Sequence, residues 1–427
     1  MPSLLIHGGR IVDPSQDLDG PYDLLIEDGA VAKIDGRIEK PDGAETFDAS
    51  GLVVTPGLID IHVHLRQPGQ EYKETVQTGT MAAAAGGFTA VACMANTVPV
   101  NDNRSITEHI LLEARRCGFA RVYPIGAISK GMKGEELAEI GDMVAAGAAA
   151  VSDDGLPVMN AELMRRALFY AQHFDVPVIQ HAEDLNLTGS GVMHEGEWST
   201  KLGLPGIPGA SEDVIVARDI ILAEDTGGRY HVAHLSTARS LDMVRRARAQ
   251  GLRVTCEVAP HHLILTDEEV AKSGFSTSTK MKPPLRSERD RDALVNGLAD
   301  GSVDCIASDH APHHADEKDV QFSVAPFGIV GLETMLSLCL DRLVKPGILS
   351  LPRLVHLLST GPARVLGIPG GTLKEGSPAD VTVFHPDEEV TLRAASFRSK
   401  GKNTPFDGWK LSGRPVATFL DGRRIQV

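Results

Sequence analysis

Residues 58–65 read Leu58-Ile59-Asp60-Ile61-His62-Val63-His64-Leu65, an apolar strand-like run with two histidines set one residue apart, and Arg66 follows. Alternate side chains of a strand share a face, so His62 and His64 point the same way. Two imidazoles so placed are half of a metal site, but alone they fit a pair of hydrogen-bonded core histidines equally well. The decision comes from the rest of the chain. Seven more apolar runs follow, at 88–94 (FTAVACM), 120–127 (ARVYPIGA), 148–154 (AAAVSDD), 176–183 (VPVIQHAE), 229–236 (RYHVAHLS), 252–258 (LRVTCEV) and 303–310 (VDCIASDH). Between them lie stretches of helical periodicity such as Ala161–His173, Ala210–Glu224, Leu241–Ala249 and Arg289–Leu298. Eight strands alternating with helical segments is the count of a (β/α)8 TIM barrel. Near-continuous apolar strands suit a parallel sheet covered by helices. An open doubly wound sheet shares the alternation, but it would not place polar residues at the C-terminal end of so many strands.

Those strand ends carry the chemistry. The fourth runs into Asp153-Asp154-Gly155, the fifth into His181, the sixth into His234 and the eighth into Asp309-His310. Metal-type side chains therefore close strands one, four, five, six and eight, on the side where barrel enzymes keep their active sites. Four histidines and two carboxylates exceed what one tetrahedral zinc uses and suit two ions sharing a bridging carboxylate and a water. Two Lewis acids on one water supply hydroxide at neutral pH. Asp309, on the last strand, is placed to take a proton from the attacking group and return it to a leaving nitrogen.

The chain ends read as short strands separated by Gly and Asp turns: Leu4–Ile6, Arg10–Val12, Asp23–Ile26 and Val31–Ile34 at one end, ADVTVF, VTL and VATFLDGRRI at the other. Asp421-Gly422 between apolar runs is a hairpin signal. Residues 1–53 and 366–427 are therefore expected to pair into one composite β-sandwich beside a barrel domain of residues 54–365. Composition fits this, with 427 residues, 42% hydrophobic and 23% charged, which is enough chain for a large core. The net charge of −15 argues against a nucleic-acid partner. Five scattered cysteines, odd in number and never paired as CxxC, favour a reducing compartment. With no signal-like N-terminus and no membrane-length apolar stretch, a cytoplasmic location without membrane contact is expected.

The DxHxHxR run, HAED at 181–184, AHLS at 233–236 and SDHAPH at 308–313 resemble the amidohydrolase superfamily, in particular its cyclic-amide hydrolases. Met94-Ala95-Asn96-Thr97, CEVAPHHL at 256–263 and PPLR at 283–286 are similar to the dihydroorotases, and together these motifs span nearly the whole chain. The resemblance implies two zinc ions, one held by His62, His64 and Asp309 and the other by His181 and His234. Many relatives bridge the pair with a carboxylated lysine on strand four. Here that strand ends SDDG, which resembles a bacterial subtype bridged by aspartate; the distance to His181 in that subtype favours Asp154 and leaves Asp153 a supporting role. The implied substrate contacts are His64, Arg66 as a bidentate carboxylate clamp, Asn96, His313 and the backbone of Phe327 and Gly328.

The implied activity is the reversible hydrolysis and cyclisation between (S)-dihydroorotate and N-carbamoyl-L-aspartate in de novo pyrimidine (UMP) biosynthesis, through a metal-bridged hydroxide with Asp309 as general acid and base. A homodimer and association with aspartate transcarbamoylase are compatible with the resemblance. Two other readings stand beside it. An allantoinase or dihydropyrimidinase is disfavoured by the aspartate on strand four and by Arg66 with Asn96. A non-catalytic partner of the transcarbamoylase would lack the metal ligands. One departure is Lys282, where the family usually has an asparagine before PPLR; lysine donates hydrogen bonds but accepts none. His7, His109, His173, His194, His356 and His385 are expected at the surface or in packing, and His310 and His314 in no direct role. His261 and His262 follow strand seven, where a place behind the metal ligands is open to them, but as adjacent side chains of an extended segment they are expected to point apart.

Overall fold

The computed structural model describes residues 3–427. Its centre is an eight-stranded sheet in chain order: β1 Leu58–Val63, β2 Phe88–Cys93, β3 Arg121–Gly126, β4 Ala150–Ser152, β5 Val178–Gln180, β6 Tyr230–Val232, β7 Val254–Val258 and β8 Cys305–Ile306. Every neighbouring pair is parallel. A parallel bridge between Val63 and His310 closes β1 onto the segment after β8. Asp60 reinforces that seam, its carboxylate accepting from the backbone N–H groups of His62 and Ser308 at 3.1 Å each. Burial pushes the Asp60 carboxyl up to about 7. All residues of β1 and β2 are buried because both faces are covered. Ile59, Ile61, Ala90, Ala92, Ile125 and Ile179 fill the barrel interior, while Leu58, Val63, Phe88 and Val91 pack outward under the helices.

The outer layer includes α1 Val76–Ala85, α2 Arg104–Cys117, α3 Ile140–Ala146, α4 Ala161–Ala171, α5 Ala210–Thr226, α6 Ala238–Ala249 and α7 Glu288–Ala299. Side-chain caps set their starts: Asn103, Asn160, Thr237 and Ser287 accept from first-turn N–H groups. The Thr237 cap explains why α6 begins before the Leu241 expected from periodicity. At the end of α4 the chain tightens into a 3-10 turn at Gln172–Phe174, inside the stretch expected to be α-helical to His173.

The chain ends form two further sheets, the first from both ends and the second from the N-terminal end alone. One has the order Arg423–Arg424, Lys410–Leu420, Val381–Thr391, Val53–Pro56, Arg10–Asp13, Leu18–Pro21; the other is Ala30–Asp35, Asp23–Glu27, Leu4–His7, Glu45–Asp48. Ile6, Ile11, Leu24, Ile26, Val54, Val381 and Phe419 share one apolar cluster between them. Asp421 and Gly422 turn the terminal hairpin with φ of 48° and 72°, the paired left-handed conformations that a two-residue Asp-Gly loop supplies.

Candidate metal centre and active-site cavity

The six ligand-type residues converge at the C-terminal mouth of the barrel, and all are buried. His62 lies in β1 and His64 just beyond it. Asp154, His181, His234 and Asp309 follow β4, β5, β6 and β8 within three residues. Asp154 is the hub. Its Oδ2 lies 3.3 Å from His62 Nε2 and 3.5 Å from His64 Nε2, while its Oδ1 lies 3.3 Å from His234 Nε2 and 3.5 Å from His181 Nδ1. Asp309 Oδ1 sits 3.3 Å from His64 Nε2 and 3.6 Å from His62 Nε2. Ligand atoms of His62, His64 and Asp309, and of His62, Asp154 and His234, each fall within 4.8 Å of one another.

Three features test whether these residues fit metal. First, buried His62 Nε2 and Asp154 Oδ1 have no hydrogen-bond partner, a costly state for a polar atom unless something binds it. Second, the outward nitrogens are occupied so that lone pairs face inward. His62 Nδ1 is 2.5 Å from Glu257 Oε1, His64 Nδ1 is 2.9 Å from Asn96 Oδ1, and His181 Nε2 is 3.1 Å from Glu183 Oε2. Carboxylates and an amide oxygen accept only, so each imidazole carries its proton on that outer nitrogen. Third, the field at the centre favours positive charge. Burial opposes ionisation of Asp154 and Asp309, yet the surrounding imidazoles hold Asp154 well below the usual carboxylate range and Asp309 down to about 2. His62 is pulled upward by Asp154 and Glu257 against its burial. The donor set and its arrangement fit divalent metal.

Asp153 faces elsewhere. Its Oδ1 accepts from the backbone N–H of Ile128 at 2.8 Å and of Ser129 at 3.0 Å, and its Oδ2 from the Ser129 hydroxyl. It anchors the loop after β3.

A cavity of about 240 Å³ opens beside the cluster, lined by His64, Arg66, Asn96, Asp154, His181, Lys282, Asp309, His313, Phe327 and Gly328 among others. Arg66 is buried and spends only Nε, on Pro312 O at 3.3 Å. With Asn96 Oδ1 turned to His64, its amide N–H groups are what it can offer a ligand. The His313 ring lies with Nε2 2.8 Å from Phe327 O, and burial together with Arg66 pushes it down to about 3. Much of the Phe327 and Gly328 backbone is already paired: Phe327 O with His313, Gly328 O with Asn403 Nδ2, and Gly328 N–H donating to Lys280 O at 2.9 Å. Lys282 Nζ lies 2.9 Å from Glu183 Oε1 and 5.0 Å from the Phe327 ring centroid. Arg66, His234 and Asp309 have φ of 62°, 31° and 48°. Left-handed backbone at non-glycine residues is strain of the kind that gathers at functional sites.

Sequence reasoning missed the layer behind the ligands. Glu257, in β7, also accepts from His234 N–H at 3.2 Å and lies 3.3 Å from His231 Nε2. Glu183 pairs with both His181 and Lys282, which together hold it down to about 2 although burial opposes this. His261 and His262 are not in an extended segment: Pro260 starts a short helix, Pro260–Ile264, and the two rings lie side by side, tilted by 57° with centroids 4.3 Å apart. His310 is fully buried and 3.4 Å from Glu74. Its backbone N–H and O bond His62 O at 3.3 Å and His64 N at 2.8 Å, so it helps hold β1.

A family model described as dihydro-orotase-like matches residues 51–240. The chain is 57% identical over 422 residues to a dihydroorotase of Anaeromyxobacter dehalogenans (strain 2CP-C), covering 99% of this chain and 97% of that one. It is 55% identical to a dihydroorotase of Citrifermentans bemidjiense, covering 99% of both. Among solved structures, an L-hydantoinase (dihydropyrimidinase) from Arthrobacter aurescens superposes with a TM-score of 0.89 at 25% identity, over 99% of this chain and 96% of that one. A D-hydantoinase (dihydropyrimidinase) from Thermus sp. does so with a TM-score of 0.84 at 26% identity, over 99% and 94%.

Proposed function

The chain belongs to the dihydroorotase family, and on that premise we propose the chemistry its own residues perform in the interconversion of (S)-dihydroorotate and N-carbamoyl-L-aspartate in pyrimidine biosynthesis. Two zinc ions are the metals of this reading, one at His62, His64 and Asp309, the other at His181 and His234, with Asp154 between them. The observation that carries it is the split of Asp154: each oxygen faces a different pair of histidines. Bound there, the metals supply Lewis acidity, which polarises a carbonyl and lowers the pKa of a water.

Arg66 holds the ring carboxylate through its unspent guanidinium N–H groups, and the Asn96 amide donates beside it. His313, held neutral, and Lys282 complete the polar wall. Asp309, an ionised acceptor beside the cavity, takes one proton from the attacking water and delivers it to the ring nitrogen as the C–N bond breaks. The water oxygen becomes part of a new carboxylate, which releases the second proton to solvent at neutral pH. Ring opening is therefore favoured by rising pH and ring closure by falling pH.

A hydantoinase reading draws on the solved structures, but those are far less similar to this chain than the dihydroorotases. The reducing interior suggested by five free cysteines, four of them buried, supports a cytoplasmic setting. Among the described residues no helix is long and apolar enough to cross a membrane. A homodimer and association with aspartate transcarbamoylase belong to the same family reading, and light scattering with and without the transcarbamoylase tests both. The central test pairs elemental analysis of the purified protein with turnover of dihydroorotate and hydantoin. Two zinc per chain with turnover of dihydroorotate alone is expected; preference for hydantoin, or a single metal at full activity, refutes the reading.

A further inference from the structure

On the face opposite the metal centre, where the strands begin, a second cleft of about 420 Å³ is lined by Arg229, Arg248, Arg253, Arg353, Arg364 and His356. Arg229 and Arg253 immediately precede β6 and β7, and Asp304 precedes β8. Five guanidinium groups in one concavity stand out in a chain of net charge −15.

Their charge is only partly cancelled locally, since two carboxylates face five guanidinium groups. The carboxylates that pair with them are Asp175, with Arg229 and Arg253, and Asp304, with Arg248. Arg353 instead donates to backbone oxygens, Nε to Leu298 O and Nη2 to Val303 O at 2.9 Å each. Arg229 Nη2 likewise donates to Val365 O at 2.5 Å. Bonds to carbonyls fix a guanidinium without neutralising it. The side chain of Arg364 is exposed and makes no hydrogen bond or ion pair among the described residues. His356 reports the resulting field: burial, then Arg353 and Arg364, push it down to about 4. Fixed, forked guanidinium groups in excess of their carboxylates match the geometry of phosphate oxygens, and the volume is that of a small-ligand site. A concave cleft on an otherwise acidic protein suits a small anion better than a nucleic acid, which wants an extended basic face.

A second observation connects the cleft to the metal centre. Thr255 lines it, and Thr255 Oγ1 lies 2.8 Å from His231 Nδ1. His231 Nε2 lies 3.3 Å from Glu257 Oε2, and Glu257 Oε1 lies 2.5 Å from His62 Nδ1. His231, Glu257 and His62 are fully or almost fully buried. A continuous polar relay thus crosses the barrel from the arginine cleft to a residue of the metal cluster, through an interior that is otherwise apolar.

We propose that this cleft binds a phosphorylated small molecule and that the Thr255–His231–Glu257–His62 relay couples its occupancy to the metal centre. The site lies outside the catalytic cavity. The coupling half rests on the assignment of His62 as a metal ligand; the binding half does not.

Calorimetric titration of the full-length protein with orthophosphate, pyrophosphate, inorganic triphosphate and a nucleoside triphosphate at ~0.1 M salt tests binding. One saturable site for pyrophosphate is expected, weakened about tenfold or more by Arg364→Gln, with dihydroorotate turnover in the absence of anion unchanged. Equal affinity for pyrophosphate and the nucleoside triphosphate assigns the phosphates as the recognised group; binding of the nucleoside triphosphate tighter than that of inorganic triphosphate adds the nucleoside. Weak, unsaturated binding of every anion, or equal binding by Arg364→Gln, overturns the site. Zinc affinity, measured by chelator competition with the soluble zinc–pyrophosphate complex counted as a competing species, should shift on saturation with pyrophosphate, and zinc loading should shift pyrophosphate affinity by the same factor. Thr255→Val should keep pyrophosphate binding and erase the shift. No shift in the parent protein, or a shift that survives Thr255→Val, overturns the coupling while leaving the binding result to stand on its own.

Discussion

Glu257→Gln isolates what the layer behind the ligands contributes. Glu257 is buried and serves three donors, His62 Nδ1 at 2.5 Å, His234 N–H at 3.2 Å and His231 Nε2 at 3.3 Å. The first two share Oε1, so a glutamine can keep both by presenting its carbonyl oxygen there. Its amide then faces His231, which must accept, and the His231 proton moves to the nitrogen facing Thr255. The main loss is that a charged acceptor behind His62 becomes neutral. A hydrogen bond to a charged group contributes about 1.5–3 kcal/mol and a neutral one about 0.5–1.5. The difference of roughly 1–1.5 kcal/mol corresponds to about a tenfold loss of zinc affinity, at the lower end of the 10–100-fold range typical of residues that orient metal ligands. Glu257→Ala is expected to do more, since buried donors lose their acceptor at about 1–3 kcal/mol each; it should lower the melting temperature as well. Chelator competition reads the affinity and thermal unfolding followed by circular dichroism reads the fold. Parental zinc affinity in Glu257→Gln, or identical behaviour of the two variants, would refute the reasoning.

Asp154→Ala should lose metal and turnover together. Asp153→Ala should retain metal but unfold more easily by about 1–3 kcal/mol, because the Ile128 and Ser129 N–H groups lose their acceptor; elemental analysis and melting curves separate the two. Arg66→Lys keeps the charge but not the planar fork, so the Michaelis constant for dihydroorotate should rise with zinc content unchanged. Asp309→Asn should keep the fold and most of the metal while turnover falls on the order of 10²–10⁴ in both directions; near-parental rates in pH-dependent assays would move the proton transfer to another group. Lys282→Asn breaks the ion pair with Glu183 and should weaken substrate binding several-fold with metal content intact, as read from saturation kinetics.

The barrel was legible because its strands are apolar on both faces and end in unlike residues. His62 and His64 could be placed together from period two alone, and the strand ends at Asp154, His181, His234 and Asp309 are short enough to mark. His231 and Glu257 were not legible for the opposite reason. Each sits inside an apolar run, and whether such a residue faces the barrel lumen or the helices depends on register, here His231 beside Thr255 and Glu257 beside Cys305. One sequence does not contain that register. The helix at Pro260 carried a signal that an extended reading overlooked, since proline is favoured at a first helical position. The strands Leu18–Pro21 and Glu45–Asp48 have no apolar alternation to find; they exist because Arg10–Asp13 and Leu4–His7 offer them edges.

The acidic balance of the chain gains meaning once its exceptions are located. A net charge of −15 repels an anionic substrate from most of the surface. At the cavity the sign reverses. Arg66 and Lys282 line it, and Lys280 and Lys282 lie 4.6 and 5.0 Å from the Phe327 ring centroid. Behind them Lys318 donates to Pro326 O at 2.7 Å, and burial with Lys280 nearby pushes it down to about 7. A small basic island in an acidic surface focuses an anion more sharply than a uniformly basic surface would, because the surrounding field closes off other landing places. Deeper in the same mouth the sign reverses again, at Asp154 and Asp309, where a carboxylate alone would be repelled and a divalent cation is drawn in. In the proposed reading the metals occupy that deeper layer, and Arg66 takes the substrate carboxylate so that the ring carbonyl is left to face them.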